Sequence, residues 1–239
     1  MATKKSASSK NFVPILVIVG LVGVAVLGWV TTRPVKTLIL DPATLPRVAA
    51  AGILKGDPNA PVQVIEFGDF ECGGCAHYAL ITGPDVTRLL VETGEISFRF
   101  LDLPLSGHPN AVAAHNAAHC ANEQGKFWEM HDRIFSGQHE WNTQATSRPK
   151  KVLEGYAAAV GVDVEKWSEC YDSERMLPVI LANRTEAERL RINVTPTFII
   201  GNRMVSSSIP YDQFRAYVLE AKVAAAMQQP GDRTKVPIP

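Results

Sequence analysis

Val62-Gln63-Val64-Ile65-Glu66-Phe67-Gly68-Asp69-Phe70-Glu71-Cys72-Gly73-Gly74-Cys75 is the stretch on which the reading of the chain turns. The run Val62–Phe67 reads as a short strand. A helix-like stretch from about Gly74 to Glu92 follows, with a bend expected near Gly83-Pro84, because proline cannot donate its backbone bond, and Gly94 as its cap. Two cysteines separated by two residues at a strand-to-helix junction can close a small disulfide and reopen it with the backbone in place. A thiol in the first helical turn also lies among unpaired backbone N–H groups at the positive end of the helix dipole, and both favour the thiolate.

Working outward, Ile96–Leu101 alternates polar and apolar residues as a second strand, completing a β-α-β unit. From about His108 to Arg191 the pattern is helical, over 111–123, 126–135, 150–160, 163–172 and 176–191, which reads as an inserted helical subdomain. Sheet character returns at Thr197-Phe198-Ile199-Ile200. A Gly201-Asn202 turn leads into Arg203-Met204-Val205, and a helix from Tyr211 to about Met227 closes the domain. Gly56-Asp57-Pro58-Asn59-Ala60-Pro61 is a turn cluster that announces the domain. Leu38-Ile39-Leu40 is too apolar for pure linker and is placed at the domain's edge.

The composition, 46% hydrophobic and 20% charged, is that of a folded protein. The net charge of zero hides an asymmetry. Residues 1–36 hold five of the 24 basic residues and no acids, leaving 19 basic against 24 acidic residues in the body. Such a body offers no electrostatic footprint for nucleic acid. Phe12–Val30 runs for 19 residues without a charge, roughly 28 Å of helix and close to the hydrocarbon thickness of a bilayer. It follows a Lys-rich leader and lacks a small-x-small cleavage site, so an uncleaved anchor is preferred to a signal peptide or core helix. Lys4, Lys5 and Lys10 favour a cytoplasmic N-terminus and an extracytoplasmic body, where four cysteines can persist as disulfides. The resulting division is leader 1–11, anchor 12–30, linker 31–51, domain 52–227 with the insertion at about 108–191, and tail 228–239.

Thr195-Pro196-Thr197 stands directly before an apolar strand. With an upstream C-x-x-C beside a β-α pattern, it resembles the thioredoxin superfamily, whose cis-proline loop lies against the active-site disulfide. More closely, the order Glu66-Phe67-x-x-Phe70-x-Cys72-x-x-Cys75, a helical insert, then Thr195-Pro196-Thr197-Phe198-Ile199-Ile200-Gly201-Asn202 resembles the DsbA-like thiol–disulfide oxidoreductases over roughly residues 52–227. The resemblance implies an α/β thioredoxin fold, a central mixed sheet flanked by helices, carrying the helical insertion. It makes Cys72–Cys75 a redox-active disulfide, with Cys72 the attacking residue and Cys75 the resolving one. Thr195 and Pro196 would hold the substrate chain as an added strand. Glu66 shares a strand face with Val62 and Val64, an odd place for a carboxylate; the family carries an acid there, which implies a proton relay to Cys75. The ordinary alternative is a solvated glutamate. The resemblance also implies a structural bridge Cys120–Cys170, against the alternative of two buried free thiols.

No cofactor is implied. The partners implied are exported proteins with cysteines and a quinone-linked membrane thiol oxidase that recycles the disulfide. Net oxidation is preferred; reduction or isomerisation would use the same residues, although no dimerisation domain precedes Gly52. A copper-delivery protein built on Cys72, Cys75 and His77 is the rival from another class. Haem attachment fails, because Ala76 stands where C-x-x-C-His needs histidine. Zinc lacks a second ligand pair. His108, His115, His119 and His131 read as solvated residues on polar helix faces rather than metal ligands. Gly73-Gly74 supplies no imidazolium beside Cys72, and Asp69 and Glu71 should raise its thiol pKa. The expectation is therefore a moderate depression and a less strongly oxidising disulfide.

Overall fold

The structure, a computed structural model, describes residues 12–31, 35, 37–40 and 52–228. The leader 1–11, most of the linker 31–51 and the tail beyond Gln228 lie outside the described residues. The chain divides into two units, Met1–Lys36 and Thr37–Pro239. In the first, α1 spans Phe12–Thr31. Its side chains are described over 14–26 alone, and among the described residues no helix is long and apolar enough to cross a membrane.

The second unit is built on a six-stranded mixed sheet of order β1-β6-β5-β3-β4-β2. Its strands are β1 (Thr37–Ile39), β2 (Ile53–Lys55), β3 (Val62–Gly68), β4 (Ile96–Asp102), β5 (Thr197–Ile200) and β6 (Arg203–Val205). Among the described residues β3 and β4 are the one neighbouring pair that is parallel, and they are joined by the helical run α2. That run comprises Gly73–His77, Tyr78–Thr82, Gly83–Val86 and Thr87–Val91, the second and fourth segments being π-helical. The bend expected at Gly83-Pro84 is thus distributed over π-turns on either side. A π-turn relaxes the hydrogen-bond ladder where proline removes a donor. Leu38 and Ile39 do lie at the edge, as part of β1 paired with β6. β2, which the sequence reading did not identify, pairs antiparallel with β4 through Leu54↔Arg99; three residues are too few to show alternation.

Between β4 and β5 the chain is helical: α3 (Ala111–Asn122), α4 (Phe127–Ser136), α5 (Gln138–Trp141), α6 (Lys150–Ala159), α7 (Val164–Asp172) and α8 (Leu177–Arg189), with α9 (Tyr211–Gln228) closing the unit. The alanines of α3 are the reason the insert packs so closely. Ala114, Ala117, Ala118 and Ala121 are fully buried and let Trp167 and Phe127 come against the helix. Trp167 donates its indole N–H to Ala117 O at 3.0 Å, so its one polar atom is satisfied in the core. Cys120 and Cys170 are joined, Cα atoms 5.7 Å apart, tying α3 to α7.

Two of the contacts that fix the insert to the sheet bear on the site. Phe70, fully buried, packs its ring 4.9 Å from Phe135 and 5.3 Å from Phe100. The other is polar and corrects the reading of the histidines. His115 and His119 are buried, not solvated: Asp102, at the end of β4, lies 2.6 Å from His115 Nδ1 and 2.7 Å from His119 Nε2, and accepts from Asn183 Nδ2 of α8 at 2.6 Å. Four-residue spacing put both imidazoles on one helix face, and that face looks inward because a buried carboxylate must be partnered there. Burial alone would push the Asp102 carboxyl up, but the two imidazoles hold it well below the usual carboxylate range. Burial would lower His119, and Asp102 more than reverses that.

Asp102→Ala strands two buried imidazoles and is expected to lower the unfolding free energy in urea by about 3–5 kcal/mol. A depressed carboxyl stabilises above its ordinary pKa, and a raised histidine stabilises below its own. The difference from wild type should therefore be largest between about pH 4 and 6.5 and shrink as pH rises through the His119 value. A variant within ~0.5 kcal/mol of wild type would remove the cluster from the account.

Candidate functional site

The parallel pairing of β3 and β4 brings their carboxyl ends together, with Gly68 opposite Asp102 and Leu103 N–H donating to Gly68 O at 2.8 Å. The segment after β3, Asp69–Cys72, therefore lies beside the segment after β4, Leu103–Asn110. Cys72 is the residue at which extended backbone gives way to helix, with φ −76° and ψ 123°. Its Sγ is half-buried and donates to Thr195 O at 3.3 Å across the cleft. Cys75, one turn on, is fully buried and accepts from Asp69 N–H at 3.4 Å. Both are free thiols, so the site is in its dithiol state. The Thr195–Pro196 bond is cis. Gly74 makes the close approach possible: a Cβ there would lie 3.2 Å from Pro196 Cδ and 3.6 Å from Cys72 Sγ, whereas one at Gly73 would meet nothing within 4 Å.

The two thiols are pushed in opposite directions. The Cys75 thiol is the largest influence lowering Cys72. Partial burial opposes it, and the Thr195 side chain and the backbone N–H groups of Cys75 and Gly74 reinforce it, bringing the Cys72 pKa to about 5. Burial raises Cys75 well above the ordinary thiol range, and Cys72 and Glu66 add to the rise. The depression at Cys72 is larger than the moderate one expected, for a geometric reason. The carboxylates of Asp69 and Glu71 serve as staples. Asp69 Oδ1 accepts from Glu71 N–H at 2.8 Å, and its Oδ2 accepts from Leu105 N–H at 2.8 Å and lies 2.6 Å from His108 Nδ1. Glu71 accepts from Asn110 N–H at 2.8 Å and from Thr143 N–H.

Glu66, in β3, is 1% exposed and interacts electrostatically with both thiols. Burial raises its pKa to about 8; the Cys72 thiolate pushes the same way and Lys55 opposes. It lines a cavity of about 180 Å³ together with Lys55, Tyr78, Phe98, Trp128, His131 and Asp132. That space is large enough for water. His77 is exposed while Cys75 is buried, so Cys72, Cys75 and His77 do not converge, and among the described residues no group of three is placed to hold a metal ion.

Sequence reasoning missed Lys55 and His108 as neighbours of the site. For Lys55 there was no signal, since it sits on the unrecognised β2. For His108 there was one: a β-α-β unit with parallel strands puts both C-terminal loops on one edge, and His108 follows the second of them.

A thioredoxin family model matches residues 49–220. The chain is 33% identical over 181 residues to the Na(+)/H(+) antiporter NhaA 1 of Salinispora arenicola, covering 75% of this chain and 26% of that protein. It thus spans about a quarter of the length of such curated relatives. It is 24% identical over 172 residues to Disulfide bond formation protein D of Bacillus subtilis, covering 68% of this chain and 75% of the other. Among solved structures, alpha-DsbA1 of Wolbachia pipientis superposes with a TM-score of 0.65 at 20% identity, over 75% of this chain and 94% of that one. At that identity the likeness is one of fold: the thioredoxin sheet with a helical insertion.

Ultraviolet titration of the reduced chain should give a Cys72 thiolate midpoint near 5. Cys75→Ala removes the thiol that donates to it and should move that midpoint up. An unmoved midpoint would remove the Cys75 thiol from the causes of that low value.

Proposed function

The chain belongs to the thioredoxin family, and on that premise we propose that it is a thiol–disulfide oxidoreductase that oxidises cysteine pairs in other proteins. One observation carries the reading: two thiols one helical turn apart, Cys72 brought down to about 5 and Cys75 raised well above the ordinary range, with Pro196 against the first. In the oxidised state a substrate thiolate attacks Cys72 Sγ and the Cys72–Cys75 bond breaks. Cys75 leaves with the electron pair and takes a proton. A second substrate thiolate then attacks the mixed disulfide, and Cys72 leaves as thiolate. Two electrons pass from substrate to protein, and the substrate keeps the new disulfide. A low pKa makes Cys72 the better leaving group and stabilises the reduced form, which favours oxidation of the partner. Thr195 and Pro196 line the cleft edge at which a substrate segment adds as a strand.

Glu66 is the group that handles the proton of Cys75. It is buried, interacts electrostatically with it, and titrates near neutrality. The cavity from Glu66 past Lys55 and Asp132 gives water a route for exchange.

The same proposal assigns Phe12–Val30 as a membrane anchor, 31–51 outside β1 as a tether, β1 with 52–227 as the catalytic domain, and the site to the extracytoplasmic side. What supports it is the uncharged apolar run, the lysines that precede it, and a Cys120–Cys170 bridge of the kind that persists in oxidising compartments. Exported proteins are then the substrates, and a quinone-linked membrane thiol oxidase the recycling partner.

The oxidised chain should accelerate the refolding of a reduced disulfide-containing protein, and Cys72→Ser should abolish this; equal activity in that variant would overturn the reading. Glu66→Gln should slow turnover about 100-fold and remove an inflection near pH 8. An unchanged pH profile would leave Glu66 without a role in proton transfer.

A further inference from the structure

The geometry points to His108 as the imidazolium of this site, a positioning residue held by Asp69 that stabilises Cys72 as a thiolate and as a leaving group. The motif itself contains no histidine between its cysteines; the loop after β4 supplies one from elsewhere in the chain. Asp69, fully buried, is fixed at both oxygens by the N–H groups of Glu71 and Leu105, each at 2.8 Å. Its Oδ2 lies 2.6 Å from His108 Nδ1. A carboxylate only accepts, so the proton of that bond belongs to Nδ1. Nε2 then remains to carry the second proton of the imidazolium, with no hydrogen-bond partner among the described residues. The side chain is 29% exposed, so the loop does not seal it from the cleft. Glu71 clamps the same loop by accepting from Asn110 N–H, so the loop's two ends are held by the two carboxylates that flank Phe70. Asp69 also donates its N–H to Cys75 Sγ, so one residue references both the imidazole and the resolving thiol.

Three ionisable groups act electrostatically on the imidazole: Asp69, which touches it, and Glu71 from the same segment after β3, and Cys72 from the start of α2. All three are negative when ionised. Burial would lower the His108 pKa, and their combined attraction, led by Asp69, raises it above the usual histidine value. The interaction with Cys72 is reciprocal. If the thiolate raises the histidine, the imidazolium lowers the thiol by the same factor. In the exchange step, Cys72 Sγ leaves the mixed disulfide with the electron pair while the substrate's second thiolate forms the new S–S bond. No proton is needed on Cys72, because the imidazolium stabilises the charge that develops there. His108 therefore adds oxidising power at pH values below its own pKa and ceases to do so above it.

This rests on Cys72 being the exchange thiolate, and the test separates the two claims. In the unaltered full-length chain, the NMR titration of His108, assigned with His108→Gln, should give a higher pKa in the dithiol form than in the disulfide form, where Cys72 carries no charge. Equal values in the two forms overturn the proposal, whatever the variants do. In His108→Gln the ionisation constant of Cys72 should fall about tenfold, and so should the equilibrium constant for oxidising glutathione. His108→Lys, which keeps a cation, should restore much of both. A low Cys72 pKa in wild type that His108→Gln leaves unmoved would refute the imidazolium and spare the oxidoreductase. An ordinary Cys72 pKa in wild type would remove both.

Discussion

A thiolate that must exist next to a protonated thiol is the constraint from which the rest of the site follows. Cys72 can hold its charge only if donors surround it, and its first donor is the Cys75 thiol one helical turn away. That partner must therefore keep its proton. Full burial, with Glu66 acting on it, ensures that it does. The strand-to-helix junction supplies the remaining donors as backbone N–H groups, which cost no side-chain ordering. Glu66 belongs to the same logic: a carboxyl raised to about 8 can be neutral while the thiolate is charged, and so does not add a second negative charge to the pocket.

The helical insert completes this arrangement. Phe70, two residues before Cys72, is locked between β4 and α4, and the Asp102 cluster binds the end of β4 to α3 and α8. Between them they fix the edge of the sheet from which both active-site segments emerge. A loop held at its two ends by the carboxylates of Asp69 and Glu71 loses little further entropy when a substrate strand docks.

Much of the fold was legible because its elements are long and strongly patterned. Val62–Phe67, Ile96–Leu101 and Thr197–Ile200 read as strands, and the five longer helices of the insert fell close to their expected bounds. β2 was not legible: three half-buried residues show no period, and only pairing with Phe98, Arg99 and Phe100 defines them. At the site, the sequence brought out Cys72, Cys75, Glu66 and Pro196; the structure sets the cysteines against the proline loop, and Glu66 is buried and lines a separate cavity. The electrostatics were misjudged. Asp69 and Glu71 look from the sequence like charges opposing a thiolate, but where a carboxylate points is a property of the loop it holds, and here both hold the segment that contains His108. The histidines were misread for a related reason. An amphipathic count cannot tell a solvated polar face from one turned toward a buried carboxylate. The two glycines, which make the motif look plain, differ in role: Gly74 leaves room for Pro196, and Gly73 meets nothing.

All of these interactions favour the reduced, charged form of Cys72 over the disulfide, and the equilibrium between them is directly measurable. The decisive quantity is the reduction potential of Cys72–Cys75, from equilibration with glutathione and separation of the two forms. A stabilised thiolate predicts an oxidising value, higher than about −200 mV and toward −120 mV. A value near −270 mV, that of a reductant, would contradict the account.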